Sequence, residues 1–200
     1  MNRIITIGRE FGSGGREVGR RLAEQLHFAY YDQEIITEIA KQTDMAEDYI
    51  RNIEERQPAP LLPITIGRTF TLPLNSITDQ AQTVYRTQSK VIWEMAQKSD
   101  CVIVGRCADH LLRALSPFRL FIHADMRSKI DRCRKKGQEK NLVSDQELQR
   151  KILSIDKARA KYYQFYTDQM WGDKKNYDLC INTSAIAIKK AVDAIEKFLP

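Results

Sequence analysis

The chain of 200 residues is poor in cysteine, and its cysteines show no arrangement that predicts a disulfide framework or a zinc site. The four cysteines include no Cys-x-x-Cys pair. Cys101 and Cys180 lie in apolar, strand-like runs, and we expect both to be buried. No export signal opens the chain, and free thiols without such a signal predict a cytoplasmic protein. No apolar run reaches the length of a membrane span, so we expect no membrane partner.

Charge of neither sign dominates the composition. Lysine and arginine number 32 against 26 aspartates and glutamates, which gives a net charge of +6. This moderate excess suits an anionic ligand, and by itself it would also suit nucleic acid. The densest basic cluster, residues 132–136, is short and lies in a predicted helix, and no nucleic-acid recognition motif accompanies it. We therefore expect a phosphorylated small molecule as the partner, and no nucleic acid.

Proline is scarce except in one segment. Four of the six prolines fall within residues 57–75, where they prevent a regular helix. Two interpretations stay open for this irregular insertion. It is either a surface excursion folded onto the core or a flap on the substrate side of a binding site, since long irregular loops in compact domains are often functional.

Elsewhere, strand-like and helix-like apolar patterns alternate along the chain. Residues 4–7 form a short β-branched run followed by glycines, as in a buried parallel strand, and residues 16–26 have the period of an amphipathic helix. Further strands are predicted at 28–31, 101–104, 120–122 and 178–181, and further helices at 34–41, 46–55, 76–98, 110–115, 127–137, 144–165 and 186–198. The alternation predicts one α/β domain over residues 1–200, a three-layer sandwich with a parallel, five-stranded sheet.

A glycine-rich segment joins the first strand to the first helix, and it reads Gly8-Arg-Glu-Phe-Gly12-Ser-Gly14-Gly15-Arg16. Closely spaced glycines let backbone N–H groups converge on one anion, and the following helix adds its own free N–H groups and its positive dipole end. We therefore predict a phosphate-binding loop and call residues 8–16 the phosphate loop. The predicted nucleotide-binding residues are Gly8, Arg9, Gly12, Ser13, Gly14, Gly15, Arg16 and Glu17.

The phosphate loop departs from the Walker A pattern, which places a lysine and then a hydroxyl residue after its last glycine. Here Gly15 stands at the lysine position and Arg16 at the hydroxyl position. Arg16 or Arg20 could supply the missing charge, because a guanidinium binds phosphate through its planar fork. Ser13 and Asp32 are the candidates for holding magnesium.

Several patches, in the same order along the chain, resemble the cytidylate kinase-like family, which belongs to the nucleoside monophosphate kinase branch of the P-loop kinases. These patches are the strand, loop and helix of 5–26, Tyr-Tyr-Asp at 30–32, Val-Ile-Val-Gly-Arg at 102–106, residues 121–124, the Asp-x-x-Arg pair of Asp156 and Arg159, and residues 178–184. Typical cytidylate kinases have aspartate directly after the glycine–arginine pair. This chain has Cys107 there, and Asp109 stands two residues further on.

The resemblance implies a P-loop nucleoside triphosphate hydrolase-like kinase fold with a helical lid over residues 127–170. It implies transfer of the terminal phosphoryl group of ATP or another nucleoside triphosphate, with magnesium, to a nucleoside monophosphate-like acceptor such as cytidylate. It places catalytic charge on Arg16, Arg106, Arg159 and Asp156. It places acceptor binding on Asp32, Gly105, Arg106 and Asp109.

The missing loop lysine keeps a second hypothesis open. A catalytically degenerate protein of the same fold would hold a nucleotide or phosphate without turning it over. Such a protein would show stabilisation by the ligand without catalysis. Under either hypothesis we expect a monomer or a homodimer.

Overall fold

A computed structural model describes residues 2–55, 74–136 and 143–200. The predicted insertion at 57–75 lies outside the described residues, apart from its last two positions. The predicted lid at 127–170 is described except for residues 137–142.

The described residues contain one five-stranded sheet in which every neighbouring pair of strands is parallel. The strand order is β2-β3-β1-β4-β5, so β1 lies at the centre of the sheet. The strands are β1 (Ile4–Arg9), β2 (Ala29–Tyr31), β3 (Cys101–Val104), β4 (Phe118–His123) and β5 (Leu179–Asn182). Since all five run in one direction, their carboxyl ends meet along one edge, where open α/β sheets bind ligands.

The connections between the strands are helical. The helices are α1 (Gly15–Leu26), α2 (Gln33–Thr43), α3 (Glu47–Glu55), α4 (Leu74–Lys98), α5 (Ala108–Leu111), α6 (Met126–Lys136), α7 (Asp145–Thr167) and α8 (Ile188–Phe198). Two short 3-10 turns, at Arg113–Leu115 and Lys174–Asn176, complete the described elements. A tight turn can join only antiparallel strands. To begin the next parallel strand, the chain must first return to the opposite edge of the sheet, and a helix usually makes this crossover.

Two apolar clusters, one on each face of the sheet, give the molecule three layers. Alternate side chains of a strand point to opposite faces, and in β1 Ile5 and Ile7 pack with α1 and α8 while Ile4 packs with α2 and α4. The cluster with α1 and α8 includes Val18, Leu22, Val102, Val104, Leu120, Ile122, Val192 and Ile195. The fold predicted from the sequence is therefore confirmed, including its five parallel strands.

Two expectations about individual elements were wrong. Cys180 is exposed, because β5 is an edge strand and its side chains at 180 and 182 face away from the core. The predicted helix at 110–115 is a single α-helical turn, α5, followed by a 3-10 turn. Cys101 is fully buried, as expected. Within the described ranges, no helix combines the length and apolarity that a membrane crossing requires.

Candidate functional site

The phosphate loop leads from the end of β1 into the first turn of α1. Gly12 and Gly14 have left-handed backbones, with φ of 76° and 86°, a conformation that favours glycine. Gly14 is also the N-cap residue of α1, and no side chain caps this helix. By contrast, a capping box of Ser144 and Glu147 caps the start of α7. The first N–H groups of α1 therefore remain directed at the loop, as anion binding requires.

Two buried hydroxyl groups, those of Ser13 and Thr183, donate hydrogen bonds to backbone carbonyls of the loop. The fully buried hydroxyl of Ser13 donates to the carbonyl of Glu10 at 2.8 Å. Thr183, just beyond β5, donates its hydroxyl to the carbonyl of Ser13 at 2.6 Å. These contacts keep the Ser13 side chain inside the loop rather than on its ligand face.

A buried lysine ties the loop to the predicted lid. The ammonium of Lys129, on α6, lies 2.6 Å from a carboxylate oxygen of Glu10 and 3.1 Å from one of Asp156 on α7. Asp156 also accepts a hydrogen bond from the backbone N–H of Phe11 at 2.7 Å. Burial raises the pKa of Asp156, and the Phe11 N–H and Lys129 oppose that rise. The geometry gives Asp156 the role of positioning the loop rather than contacting a ligand.

A pocket opens beside the loop at the carboxyl edge of the sheet, between β1, β3 and α7. Its walls carry five arginines, and we call it the arginine pocket: Arg9, Arg16, Arg51, Arg106 and Arg159. The other lining residues are Gly8, Gly105, Cys107, Asp109, Tyr162, Tyr163, Trp171 and Tyr177. The structure thus brings together most of the predicted catalytic and acceptor-binding residues, which come from positions 16 to 159 of the chain.

Positive charge predominates among the residues that line the arginine pocket. Burial, and then the neighbouring Arg9, lower the pKa of Arg106 to about 10. Burial likewise lowers the pKa of Arg9, and the carboxylate of Asp32 opposes that change. Arginine normally stays protonated at any physiological pH, so both groups remain charged and close together. Two buried cations close to each other favour the binding of an anion.

Asp32 stands at the N-cap position of α2 but makes no capping hydrogen bond with its side chain. Its nearly buried carboxylate instead pairs with Nε of Arg16 at 2.8 Å and lies 3.9 Å from Nη2 of Arg9. Asp32 therefore orients two arginines of the pocket.

Three consecutive residues after β3 have left-handed backbones. Gly105, Arg106 and Cys107 have φ of 77°, 63° and 53°. Each non-glycine residue in this region costs on the order of 1 kcal/mol or more, and such strain concentrates at functional sites. The fully buried amide of Gln88, on α4, donates to the Arg106 carbonyl at 3.1 Å and supports this turn.

Aromatic side chains also line the pocket: Tyr162, Tyr163, Trp171 and Tyr177. Tyr163 donates its hydroxyl to Asp109 at 2.6 Å. Burial raises the pKa of Asp109, and the hydrogen bond from Tyr163 opposes that rise. Trp171 meets the ring of Phe121 edge-on at a centroid distance of 5.3 Å. The pocket therefore combines aromatic rings with arginines, a combination suited to a planar, anionic molecule.

Some predicted residues lie away from the arginine pocket. Arg20 pairs with Glu24 on the exposed face of α1, so it does not supply the missing loop charge. Glu17 pairs with Arg21 at 3.0 Å.

Sequence reasoning missed three residues of the site: Arg51, Gln88 and Lys129. One of them carried a signal, because Gln88 is a polar residue on the apolar stripe of α4 between Val84 and Val91. Tyr162 and Tyr163 of α7 both pack in an aromatic cluster and line the pocket.

The residues offered for magnesium do not suit a divalent cation. The hydroxyl of Ser13 is turned inward, and Asp32 lies between two arginines whose charge repels a metal ion. Within residues 2–55, 74–136 and 143–200, no group of three or more histidine, cysteine, aspartate or glutamate side chains could hold a metal ion.

Comparison with known proteins gives one family match and several structural matches. The model of the cytidylate kinase-like family matches residues 4–185. An uncharacterized protein from Eubacterium ventriosum ATCC 27560 is 28% identical, with a TM-score of 0.71 and coverage of 98% of this chain and 98% of that chain. No curated protein sequence matches this chain.

Two shikimate kinases share the fold at much lower identity. The enzyme from Bacteroides thetaiotaomicron is 12% identical, with a TM-score of 0.59 and coverage of 98% of this chain and 97% of its own. The enzyme from Acinetobacter baumannii, in complex with shikimate, is 16% identical, with a TM-score of 0.55 and coverage of 99% and 92%. At these identities the likeness shows the P-loop kinase fold and not the substrate.

Proposed function

The chain belongs to the cytidylate kinase-like family, and we propose that it transfers the terminal phosphoryl group of ATP, or another nucleoside triphosphate, to a small phosphorylated acceptor. Membership of a kinase-like P-loop family implies the use of a nucleotide substrate. The family's description makes a nucleoside monophosphate, with cytidylate first, the acceptor to test.

One observation carries the proposal: five arginines line a pocket directly beside an uncapped helix terminus. Asp109 is the acidic member of the described lining residues, and burial favours its neutral form. Other carboxylates pair with individual arginines of the pocket: Asp32 with Arg16, Glu47 with Arg51 and Asp156 with Arg159. The five arginines still outnumber these carboxylates. Phosphoryl transfer needs little covalent chemistry from a protein and depends on positive charge around a dispersed negative transition state. The excess of positive charge in the pocket meets that requirement.

In the proposed reaction, separate groups of residues bind the donor phosphates and the acceptor phosphate. The N–H groups of the phosphate loop and the first turn of α1 hold the donor phosphates. Arg16, Arg106 and Arg159 lie around the transferring group and hold the acceptor phosphate, while Asp32 orients Arg16. An acceptor oxygen forms a bond to the terminal phosphorus as the bond to the bridging oxygen breaks, and the departing diphosphate keeps that electron pair.

We propose that magnesium arrives with the donor, held mainly by phosphate oxygens and water, as is common for this metal. We further propose a cytoplasmic location, in keeping with four free cysteines.

The direct test is an assay of the whole chain with ATP, magnesium and a panel of nucleoside monophosphates. We expect one acceptor to give product. Arg16→Met and Arg106→Met should then lower kcat/KM by about 100-fold or more, the scale of losing one charge-stabilising group. Arg20→Met is the matched control, since Arg20 lies one turn from Arg16 on the same helix but outside the pocket.

A wild-type chain that gives no product above background with any acceptor contradicts the proposed kinase activity for that panel. If ATP then raises the melting temperature without turnover, the degenerate binding protein becomes the better description.

A further inference from the structure

We propose that Arg9 supplies the positive charge that the phosphate loop lacks at position 15, and that Gly15 is a glycine because the stem of the Arg9 side chain occupies the space next to it. This inference rests on the proposed function, since it concerns the same phosphate loop. In this proposal the cation of the phosphate loop is Arg9, at the end of β1, rather than a lysine at the start of α1.

The first observation is a steric exclusion at the start of α1. A Cβ atom built on Gly15 would lie 2.4 Å from Cβ and 3.0 Å from Cγ of Arg9. Contacts under 3.0 Å essentially never occur between real Cβ atoms and their neighbours. The stem of Arg9 therefore occupies the space where any side chain at position 15 would begin. With this backbone, a lysine at position 15 and an arginine at position 9 exclude each other.

The second observation concerns the far end of the same side chain. A Cβ atom built on Gly105 would lie 1.8 Å from Nη1 and 2.8 Å from Cζ of Arg9. The N–H of Gly105 donates to the carbonyl of Ile7 at 2.9 Å, which fixes the end of β3 against β1. The Arg9 guanidinium therefore lies against the backbone of the left-handed turn, between the phosphate loop and the acceptor side of the pocket.

The third observation is the incomplete pairing of this guanidinium. The Arg9 side chain is only 12% exposed, and its Nε has no hydrogen-bond partner in the described part of the chain. Its nearest carboxylate, Asp32, lies 3.9 Å from Nη2 and is already engaged by Arg16 at 2.8 Å. A buried, incompletely paired cation is costly, so a site that retains one is organised for an incoming anion.

The other arginines near the loop are placed differently. The side chain of Arg16 is about half exposed and is held by Asp32, and Arg20 faces solvent beside Glu24. Arg159 donates to the Arg9 carbonyl at 3.2 Å, which helps to hold the backbone from which the Arg9 side chain extends. Arg9 is thus the buried cation whose stem occupies the space that a lysine side chain at position 15 would need.

The experiment has a catalytic arm and a steric arm, both on the full chain. In the catalytic arm, Arg9→Met retains a long stem and removes the charge. We expect its turnover to fall about 100-fold or more and the ATP-induced rise in melting temperature to shrink, while Arg20→Met leaves both unchanged. A double variant, Arg9→Gly with Gly15→Lys, returns a lysine to position 15 and should recover at least tenfold of the turnover lost in Arg9→Gly alone.

The steric arm needs no activity. Gly15→Ala should lower the melting temperature by several degrees when Arg9 is present and by clearly less in the Arg9→Gly background. Equal losses in the two backgrounds would show that the Arg9 stem does not occupy this space.

The outcomes separate the inference from the proposed function. An active wild type with an equally active Arg9→Met variant overturns the inference and leaves the kinase proposal standing. An inactive wild type that ATP still stabilises, with that stabilisation lost in Arg9→Met, supports the inference while the kinase proposal fails. A wild type that ATP neither stabilises nor engages in turnover overturns both.

Discussion

The carboxylate of Asp156 accepts a hydrogen bond from the backbone N–H of Phe11 at 2.7 Å, across 145 residues of sequence. The same carboxylate meets the buried ammonium of Lys129, which also meets Glu10 in the loop. Helices α6 and α7, which fall in the predicted lid, are thereby fastened to the phosphate loop through one charged cluster.

We predict that Asp156→Ala lowers the free energy of unfolding by about 1–3 kcal/mol, because it leaves the backbone N–H of Phe11 without its acceptor. Urea denaturation measures the change. The matched control is Asp145→Ala, in the first turn of the same helix, where the exposed pair with Arg134 should contribute no more than about 1 kcal/mol. Equal losses in the two variants would contradict the positioning role of Asp156.

We predict that Gln88→Leu lowers stability and raises the KM for the acceptor. The substitution leaves the Arg106 carbonyl without its buried donor, at a cost of about 1–3 kcal/mol, and it frees the strained turn that presents Arg106. Thermal unfolding and the KM for the acceptor report the two effects separately. Gln82→Leu, an exposed change on the same helix, should alter neither, and an unchanged acceptor KM in Gln88→Leu would argue against a role for this turn in binding.

We predict a pH-dependent gain in stability for Asp109→Asn. Burial raises the folded-state pKa of Asp109 above its ordinary value. In the pH window between the ordinary and the raised pKa, the folded protein therefore binds the proton more tightly than the unfolded chain. The free energy of unfolding of the wild type therefore falls as the pH rises through the window. The asparagine variant should be more stable at pH 7, and its advantage should vanish once the pH drops below the ordinary pKa of aspartate.

Asp178→Asn provides a control of opposite sign for this pH prediction. Hydrogen bonds from Arg119 lower the pKa of Asp178, so this variant should lose stability at pH 7 and match the wild type in acid. Denaturation curves between pH 3 and pH 8 would test both variants. A constant difference between Asp109→Asn and the wild type across that range would count against the buried-carboxyl explanation.

We predict that Gly19→Ala destabilises the protein, against the usual direction for a helix interior. Alanine normally adds about 0.5–1 kcal/mol over glycine there. At this position the new Cβ would lie 2.9 Å from Cγ2 of buried Val104 and 3.1 Å from Cδ1 of buried Ile7, and overpacking costs about 1–3 kcal/mol. The melting temperature should fall, and a smaller fall in a Val104→Ala background would confirm the contact as the cause.

Much of the fold and part of the candidate site were predictable from local patterns. The strand at 4–7, the capping box at Ser144 and the glycine spacing of the phosphate loop are each visible within a dozen residues. Gly105 and Arg106 were also placed correctly at a strand end, where parallel strands gather their ligands. The roles assigned to the individual site residues remain predictions.

The sequence alone therefore determined the succession of strands and helices along the chain and the position of the phosphate loop, because periodicity, glycine freedom and capping act between near neighbours. Only the tertiary structure decided that Arg9 rather than Arg20 lies in the pocket, that Asp156 holds the loop, and that Cys180 is exposed. Each of these depends on contacts between residues far apart in the chain, and the direction that a charged side chain takes is set by such neighbours, not by its own sequence position.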